Sequence, residues 1–480
     1  MPIALSILTA LSLGCIIQIL LGGRSTDDKL LWIALLLILP GIGVVAYCLA
    51  GIDYRNKSYF YLLHAKAIRE LKEGIAPEQA QAWFTDKDMD LVPERLKPLA
   101  RLLLASGEGN KVYAHNSFEI ITSGARKREL LLEDIRQARH YIHIEYFRWD
   151  SDASGREVRD LLYQKVAEGV EVRFLLNNMM CRLGRHAFFR DMEKHGIQVV
   201  KYTQIRMGFR QWLMRINSLN HRKVVLIDDK VAYTGGMNIN DNYFCRWRDT
   251  HLRVSGPVIA RLQASFMDSW IGSGGSFDHP LSNYFALKYP QQPAPFRDKL
   301  LQIAVSAPEF PWPTSLLAYE WILSNAKQFV YIQTPYFVPP ESFLAAVKGA
   351  AMRGVDVRIM LPKKVDTPFV GPVNRSFYSE CMQAGVRIYE REGAFIHSKT
   401  LVTDDDLAII GASNLDHRSF HINAEMDTFI YDQEAALACK RIFLEDIALS
   451  EELELASWVR DRRWYSRLYS AFLRLFRSLL

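Results

Sequence analysis

The sequence predicts an α/β protein in which two homologous domains follow an N-terminal transmembrane helical hairpin. Three observations carry this: two charge-free runs at the start, a repeated strand-and-helix pattern through the middle, and a length of 480 residues. That length accommodates about two or three domains and a sizeable core. Apolar residues at 49% and charged residues at 23% are ordinary for a folded chain and exclude a disordered, collagen-like or disulfide-dense protein. The net charge of +6 is too small to argue for nucleic acid.

Met1 to Gly23 and Leu30 to Ile52 are both 23 residues long and carry no charge. Each could cross ~30 Å of hydrocarbon as a helix. A cleaved signal peptide is the alternative for the first run, but the basic leading segment is missing and a second run comes at once. Ser12-Leu-Gly-Cys15 is like a lipoprotein cleavage box with Ser12 where leucine is wanted, and is set aside. Arg55, Lys57, Lys66 and Arg69 follow the second run, whereas the connection offers only Arg24 and Lys29. The positive-inside rule therefore puts both the N-terminus and the large C-terminal portion on the cytoplasmic side. Residues 1–52 are read as the two spans and 53–111 as a cytoplasmic linker with helical character. Cys181, Cys245, Cys381 and Cys439, outside the spans, show no metal-like spacing and read as reduced structural thiols.

A repeat organises the middle of the chain. Tyr141-Ile-His-Ile-Glu-Tyr-Phe147 matches Tyr331-Ile-Gln-Thr-Pro-Tyr-Phe337, and Gly169-Val-Glu-Val-Arg-Phe-Leu-Leu176 matches Gly354-Val-Asp-Val-Arg-Ile-Met-Leu361. Gly196-Ile-Gln-Val-Val200 matches Gly385-Val-Arg-Ile-Tyr389. Each copy predicts helix (124–140; 315–327), strand, helix (155–168; 340–353), apolar strand, helix (186–195; 371–384) and strand. Each then closes with an apolar hairpin that turns at Asp228-Asp-Lys230 or at Asp404-Asp-Asp406. Short β-rich runs alternating with helical periods indicate layered α/β domains, here 112–275 and 276–450, joined by the Gly/Pro-rich stretch 272–295.

The chemistry-bearing signal is His221-Arg-Lys223 with Asp228 and then Gly235-Gly-Met-Asn238, and its twin His397-Ser-Lys399 with Asp404 and then Gly411-Ala-Ser-Asn414. Both copies keep H-x-K-x4-D-x6-G at the same place in their repeats. On a strand, residues two apart project to one face, so each imidazole and ammonium point together. The pattern resembles the paired HKD motifs of the phospholipase D superfamily over about Ser117 to Asp432. With the double N-terminal run and the basic tail, the whole chain is similar to bacterial cardiolipin synthases.

A phosphodiester anion repels nucleophiles, so a catalyst must neutralise its oxygens, supply a nucleophile and protonate the leaving alkoxide. The resemblance implies a pseudo-twofold site in which one histidine forms a phosphohistidine while the other acts first as acid and then as base. It implies that His221, Lys223, Asp228, His397, Lys399 and Asp404 form the catalytic set. Lys223, Lys399, Asn238 and Asn414 would hold the non-bridging oxygens, and no metal or other cofactor is needed. The two-domain relatives favour His221 as nucleophile. Asp228 and Asp404, seven residues beyond their histidines, are expected to brace the turn. Asp249 lies 28 residues after His221, and Glu425 lies 28 after His397. By resemblance these acids fix the imidazole tautomers, each expected beside the histidine of its own half.

Two basic segments stay open at this level. Gly196 to His221 is 25 residues, but Gly385 to His397 is 12. The insert carries Arg206, Arg210, Arg215 and Trp212, and either seats the protein on anionic lipid or packs its tryptophan on the domain. The tail, residues 451–480, mixes arginines with aromatics from Trp458 onward and reads as a helix either in a membrane interface or docked on the protein with solvated arginines. Arg182, Arg185, Lys363, Lys364 and Arg375 are candidates for a second phosphate.

The favoured function, from the resemblance, is transfer of a phosphatidyl group between two phosphatidylglycerol molecules to give cardiolipin and glycerol, on the cytoplasmic side of a bacterial inner membrane. The partners implied are anionic phospholipid and the membrane, without nucleic acid. A phospholipid-hydrolysing phosphodiesterase is the alternative, with a nuclease behind it.

Overall fold

A computed structural model describes residues 2–23, 26–51, 69–70, 73–74, 87–107, 109–177, 186–202, 218–285 and 289–477. The first half contributes β1 (Val112–Ile121), β2 (Tyr141–Tyr146), β3 (Glu171–Leu176), β4 (Gln198–Lys201), β5 (Lys223–Ile227), β6 (Val231–Gly235) and β7 (His251–Ser255). The second contributes β8 (Phe296–Ser306), β9 (Phe329–Gln333), β10 (Phe337–Val338), β11 (Asp356–Pro362), β12 (Arg387–Arg391), β13 (Thr400–Thr403), β14 (Leu407–Gly411), β15 (Leu415–Asp416), β16 (Glu425–Ile430) and β17 (Ser450–Glu452). Fifteen of these form one mixed sheet in the order β17-β12-β11-β9-β13-β14-β16-β8-β1-β7-β6-β5-β2-β3-β4.

Outward from the β1–β8 junction, the first seven strands on each side follow the same sequence of equivalents, and β17 extends the second half by one strand. This is the duplication written into hydrogen bonds. β1 and β8 run antiparallel, so a pseudo-twofold axis passes between them. Both strands lie outside the repeat matches, and their mixed polar-apolar sequence shows no clear strand period. The hairpins β5–β6 and β13–β14 are antiparallel, as the alternation of short apolar runs and aspartate turns requires. β2, β3 and β4 are parallel, joined by crossover helices Ala153–Ala167 and His186–Lys194.

Three buried clusters arise from this layering. One packs helix Gly124–Gln137 and Ala153–Ala167 on the first half, through Leu131, Ile135, Leu162 and Phe174. A second does the same for the second half, through Leu323, Phe343, Val347 and Ile359. The third joins the halves, uniting Leu262 and Phe266 of helix Ile259–Gly272 with Ile410, Met426 and Phe443. Within it β6 and β7 face β14 and β16, and the Thr234 hydroxyl lies 3.7 Å from Met426 Sδ. The sheet therefore folds the two halves against each other.

The expected helix over 371–384 is two pieces, Val370–Ser376 and Tyr378–Gln383, which meet at Phe377. At the N-terminus Pro2–Leu21 is one helix of 20 residues. The second charge-free run is broken at Leu39, giving Thr26–Ile38 and Pro40–Ala46, because proline has no N–H to continue the ladder. Among the described residues no helix is long and apolar enough to cross a membrane. Trp32, Leu36, Ile19 and Tyr47 pack with Ile422 of the second half. The tail forms helices Leu455–Asp461 and Trp464–Arg474.

Candidate active site

Each motif histidine sits just ahead of a hairpin strand, His221 before β5 and His397 before β13. Main-chain bonds pin both across the halves. His221 N–H donates to the Ala424 carbonyl at 2.8 Å, and His397 N–H donates to the Arg248 carbonyl at 2.7 Å. Ala424 directly precedes Glu425, and Arg248 directly precedes Asp249. The side chains obey the same crossing: His221 Nδ1 lies 2.9 Å from Glu425 Oε2, and His397 Nδ1 lies 2.7 Å from Asp249 Oδ2.

This corrects the expected pairing within each half. Parallel bridges Asn220–Ala424 and Arg248–Ile396 set each histidine segment alongside the acid-bearing segment of the other half. Repeat spacing identifies the acids and is blind to which histidine they serve.

All four groups are buried. Burial, reinforced by Lys223 and Lys399, holds the His221 imidazole well below its ordinary pKa. Burial and Lys399 pull His397 down to about 4, against the opposing pull of Asp249. Burial also raises Glu425 to about 7. Asp249 meets the same desolvation, but Lys399, His397 and the Thr250 N–H overcome it and keep the carboxylate below its usual range. An ionised Asp249 only accepts, which selects the Nδ1–H tautomer of His397 and leaves Nε2 for chemistry.

Lys223 Nζ donates to the His221 carbonyl at 2.5 Å. Lys399 Nζ lies 3.1 Å from His397 Nε2 and donates to the His397 carbonyl. Burial lowers Lys399 to about 8 and drives Lys223 well below the usual ammonium range. That Lys399 depresses His221 and Lys223 depresses His397 records how near the two motifs lie. Such a cluster of desolvated cations and neutral imidazoles is suited to an anionic phosphate. Asn238 Oδ1 accepts from Arg148 N–H at 3.2 Å, while buried Asn414 Oδ1 has no hydrogen-bond partner. Among the described residues no cluster of three or more His, Cys, Asp or Glu side chains is arranged to hold a metal ion.

Asp228 and Asp404, grouped by resemblance with the catalytic set and expected to brace the turn, stand apart from this cluster. Each lies at the far end of its hairpin strand, roughly 15 Å from the lysine at ~3.3 Å per residue. Asp228 accepts from the Arg139, His140 and Tyr141 N–H groups at 2.6, 2.8 and 2.9 Å. Asp404 accepts from the Lys327, Gln328 and Phe329 N–H groups at 2.8, 2.8 and 3.2 Å. Both have positive φ, 51° and 50°, a turn conformation that aspartate tolerates better than most residues.

Of the second-phosphate candidates, Arg182 and Arg185 lie outside the described residues, as do Arg206, Arg210 and Arg215 with most of the insert. Lys363 is engaged by Glu392 and Glu451 at the surface. Arg375 is held by Glu390 at 3.1 Å and by the Lys363 carbonyl, and Lys364 is exposed.

Sequence reasoning missed the aromatic walls. Phe147 meets the His221 ring edge-on at 4.8 Å. Tyr243, Trp247 and Phe395 surround His397 at 5.2, 5.5 and 5.9 Å between ring centres. It also missed Arg248, whose guanidinium reaches Ser398 Oγ at 3.2 Å and Asp446 at 2.7 Å. The repeat could not reveal it, since Ala424 stands at the equivalent place.

Two family models match the chain: "Cardiolipin synthase, PLD-like domain" over residues 131–270 and 320–447, and "Phospholipase_D-nuclease N-terminal" over 10–51. A cardiolipin synthase of Staphylococcus aureus strain Mu50 is 34% identical over 92% of this chain and 89% of its own length. The major cardiolipin synthase ClsA of Bacillus subtilis strain 168 is 34% identical over 95% of this chain and 96% of its own. A crystal structure of phosphatidylserine synthase from Haemophilus influenzae Rd KW20 superimposes with a TM-score of 0.59 at 16% identity, covering 80% of this chain and 100% of that one. That likeness shows the shared α/β fold, and the family model over 131–270 and 320–447 marks the two phospholipase D-like domains.

Proposed function

Because the chain belongs to the cardiolipin synthase family of phospholipase D-like proteins, we propose that it moves a phosphatidyl group from one phosphatidylglycerol to another, releasing cardiolipin and glycerol. The observation that carries the mechanism is the crossed pinning of His221 and His397.

His221 Nε2 attacks the phosphorus of the first lipid. As the anionic lipid binds, His397 takes up a proton on Nε2 and becomes an imidazolium held by Asp249; the bond to the glycerol oxygen breaks, and His397 Nε2 gives that oxygen this proton. The phosphatidyl group is left on His221. The terminal hydroxyl of a second phosphatidylglycerol then loses its proton to His397 and attacks the same phosphorus, and cardiolipin departs as His221 is restored. Covalent catalysis thus divides one hard displacement into two easier ones.

The environments support this division of labour. An incoming phosphodiester anion opposes the cationic influence that keeps both imidazoles neutral. His397 already faces an ionised Asp249, so its imidazolium is the better supported of the two. Lys223, Lys399, Asn238 and Asn414 neutralise and orient the non-bridging oxygens.

The membrane setting and domain limits belong to the same reading. The N-terminal helices form a hairpin anchor, supported by the charge-free helix Pro2–Leu21 and by exposed Leu20, Leu37 and Ile38. The excess of lysine and arginine after residue 52 supports a cytoplasmic placement of the catalytic domains, 112–275 and 276–450. Purified protein in phosphatidylglycerol bilayers, with products read by mass spectrometry, tests the function. Cardiolipin and glycerol in equal amounts are expected; phosphatidic acid as the sole lipid product would make the protein a hydrolase instead.

A further inference from the structure

The helix Trp464–Arg474 is mounted on the protein by its arginines and turns its aromatics outward. Trp464, Leu468, Phe472 and Leu475 are 74, 62, 55 and 60% exposed, with Tyr465 and Tyr469 beside them. At 100° per residue these positions fill one arc of about 140°, a continuous apolar stripe. The opposite side does the seating. Ser470 is buried, the Arg474 guanidinium lies 4.1 Å from the centre of the Phe377 ring, and Arg474 pairs with Glu380 at 2.6 Å. Arg462 donates to the Arg375 carbonyl at 3.1 Å, and Arg477 pairs with Glu341 at 3.0 Å.

This reverses the arrangement expected of a helix docked with solvated arginines. Contiguous exposed apolar surface of this kind marks an interaction site. Its charge says which kind. From Arg462 to Leu480 there are five arginines and no acid, and Arg463 and Arg467 are exposed. A second copy of the chain meeting this stripe about a twofold would bring arginines against arginines. An anionic lipid surface complements both features, taking the aromatics into the headgroup boundary and the arginines among the phosphates.

The helix also has a route to the chemistry. It packs on Val370–Ser376, which comes directly after the exposed Phe369. In the same loop Asp366 accepts from the Tyr336 hydroxyl at 2.6 Å, and the Tyr336 ring lies 6.5 Å from that of His397.

We propose that Trp464–Arg474 is a docking face for an anionic phospholipid bilayer, and that it holds the His397 side of the site against the headgroups. This rests on the reading of the substrate as a membrane phospholipid. The test uses the full chain in phosphatidylglycerol-containing nanodiscs whose acyl chains are brominated near the headgroup. The indole signal lost in Trp464→Phe should be quenched by these lipids. A Leu468→Ser/Tyr469→Ser/Phe472→Ser variant should lose at least about tenfold in rate on bilayers, the scale set by withdrawing a large apolar side chain from an apolar environment. It should keep its rate on dispersed short-chain phosphatidylglycerol. An unquenched Trp464, an unchanged bilayer rate, or an equal loss on both substrates overturns the proposal. So does a photo-crosslinker at position 468 that captures a second copy in place of lipid. Failure of the functional reading is distinguishable, because wild-type protein would then form no cardiolipin on either substrate while the quenching result stood.

Discussion

The exchange of acids between the halves makes distinct demands on single residues. Asp249→Asn removes the ionised acceptor from His397, and Glu425→Gln removes it from His221. Loss of a charged hydrogen-bond acceptor to a catalytic imidazole should lower the rate by roughly 10² to 10⁴. The two variants should part in kind: a phosphodiester donor whose leaving group needs no proton should restore adduct formation in Asp249→Asn, which impairs the acid, and not in Glu425→Gln, which impairs the nucleophile, as rapid-quench kinetics can read. Equal rescue of both variants would contradict the crossed assignment. The pH profile depends on the same groups. Lys399 carries its charge below about 8 and Glu425 is ionised above about 7, so kcat/KM should peak between these values and fall on both sides. Lys399→Arg, which keeps its charge, should remove the alkaline limb set by Lys399; an unchanged limb would assign it elsewhere.

Elements explain why the motif aspartates recur without touching phosphate. Asp228 and Asp404 each gather three N–H groups at the end of the preceding helix and the start of β2 or β9. This locks a hairpin turn to the strand that flanks it. Replacing Asp228 by Ala leaves those donors without their acceptor and should cost about 2 to 4 kcal/mol. Asp228→Asn keeps an oxygen for His140 and Tyr141 and tolerates positive φ, so it should cost about 1 kcal/mol. Calorimetric melting checks the order of the two; a larger loss of stability in Asn than in Ala would contradict the bracing role. The strands and helices of each repeat were legible because apolar periodicity and the aspartate turns reported local packing. The break at Phe377 and the strands β1 and β8 were not, since tertiary contacts decide them. The histidines, lysines and asparagines were legible from duplication, whereas the aromatic walls, Arg248 and the choice of partner acid depend on how the halves meet.

At the scale of the whole molecule, one continuous sheet turns a tandem repeat into a single site. The pseudo-twofold between β1 and β8 explains why two short motifs, 176 residues apart in sequence, are bridged by symmetric main-chain bonds. The proposed anchor sets this site at a lipid surface, and a reporter fused after Leu480 should signal from the cytoplasm; a signal from outside the cell would reverse the orientation. The most direct test of the account is a product assay of His221→Ala and His397→Ala in phosphatidylglycerol bilayers. Each substitution alone should abolish cardiolipin formation, and only the variant that keeps His221 should retain the residue that carries the phosphatidyl adduct. Undiminished cardiolipin from either variant would contradict a mechanism in which both imidazoles serve one phosphorus.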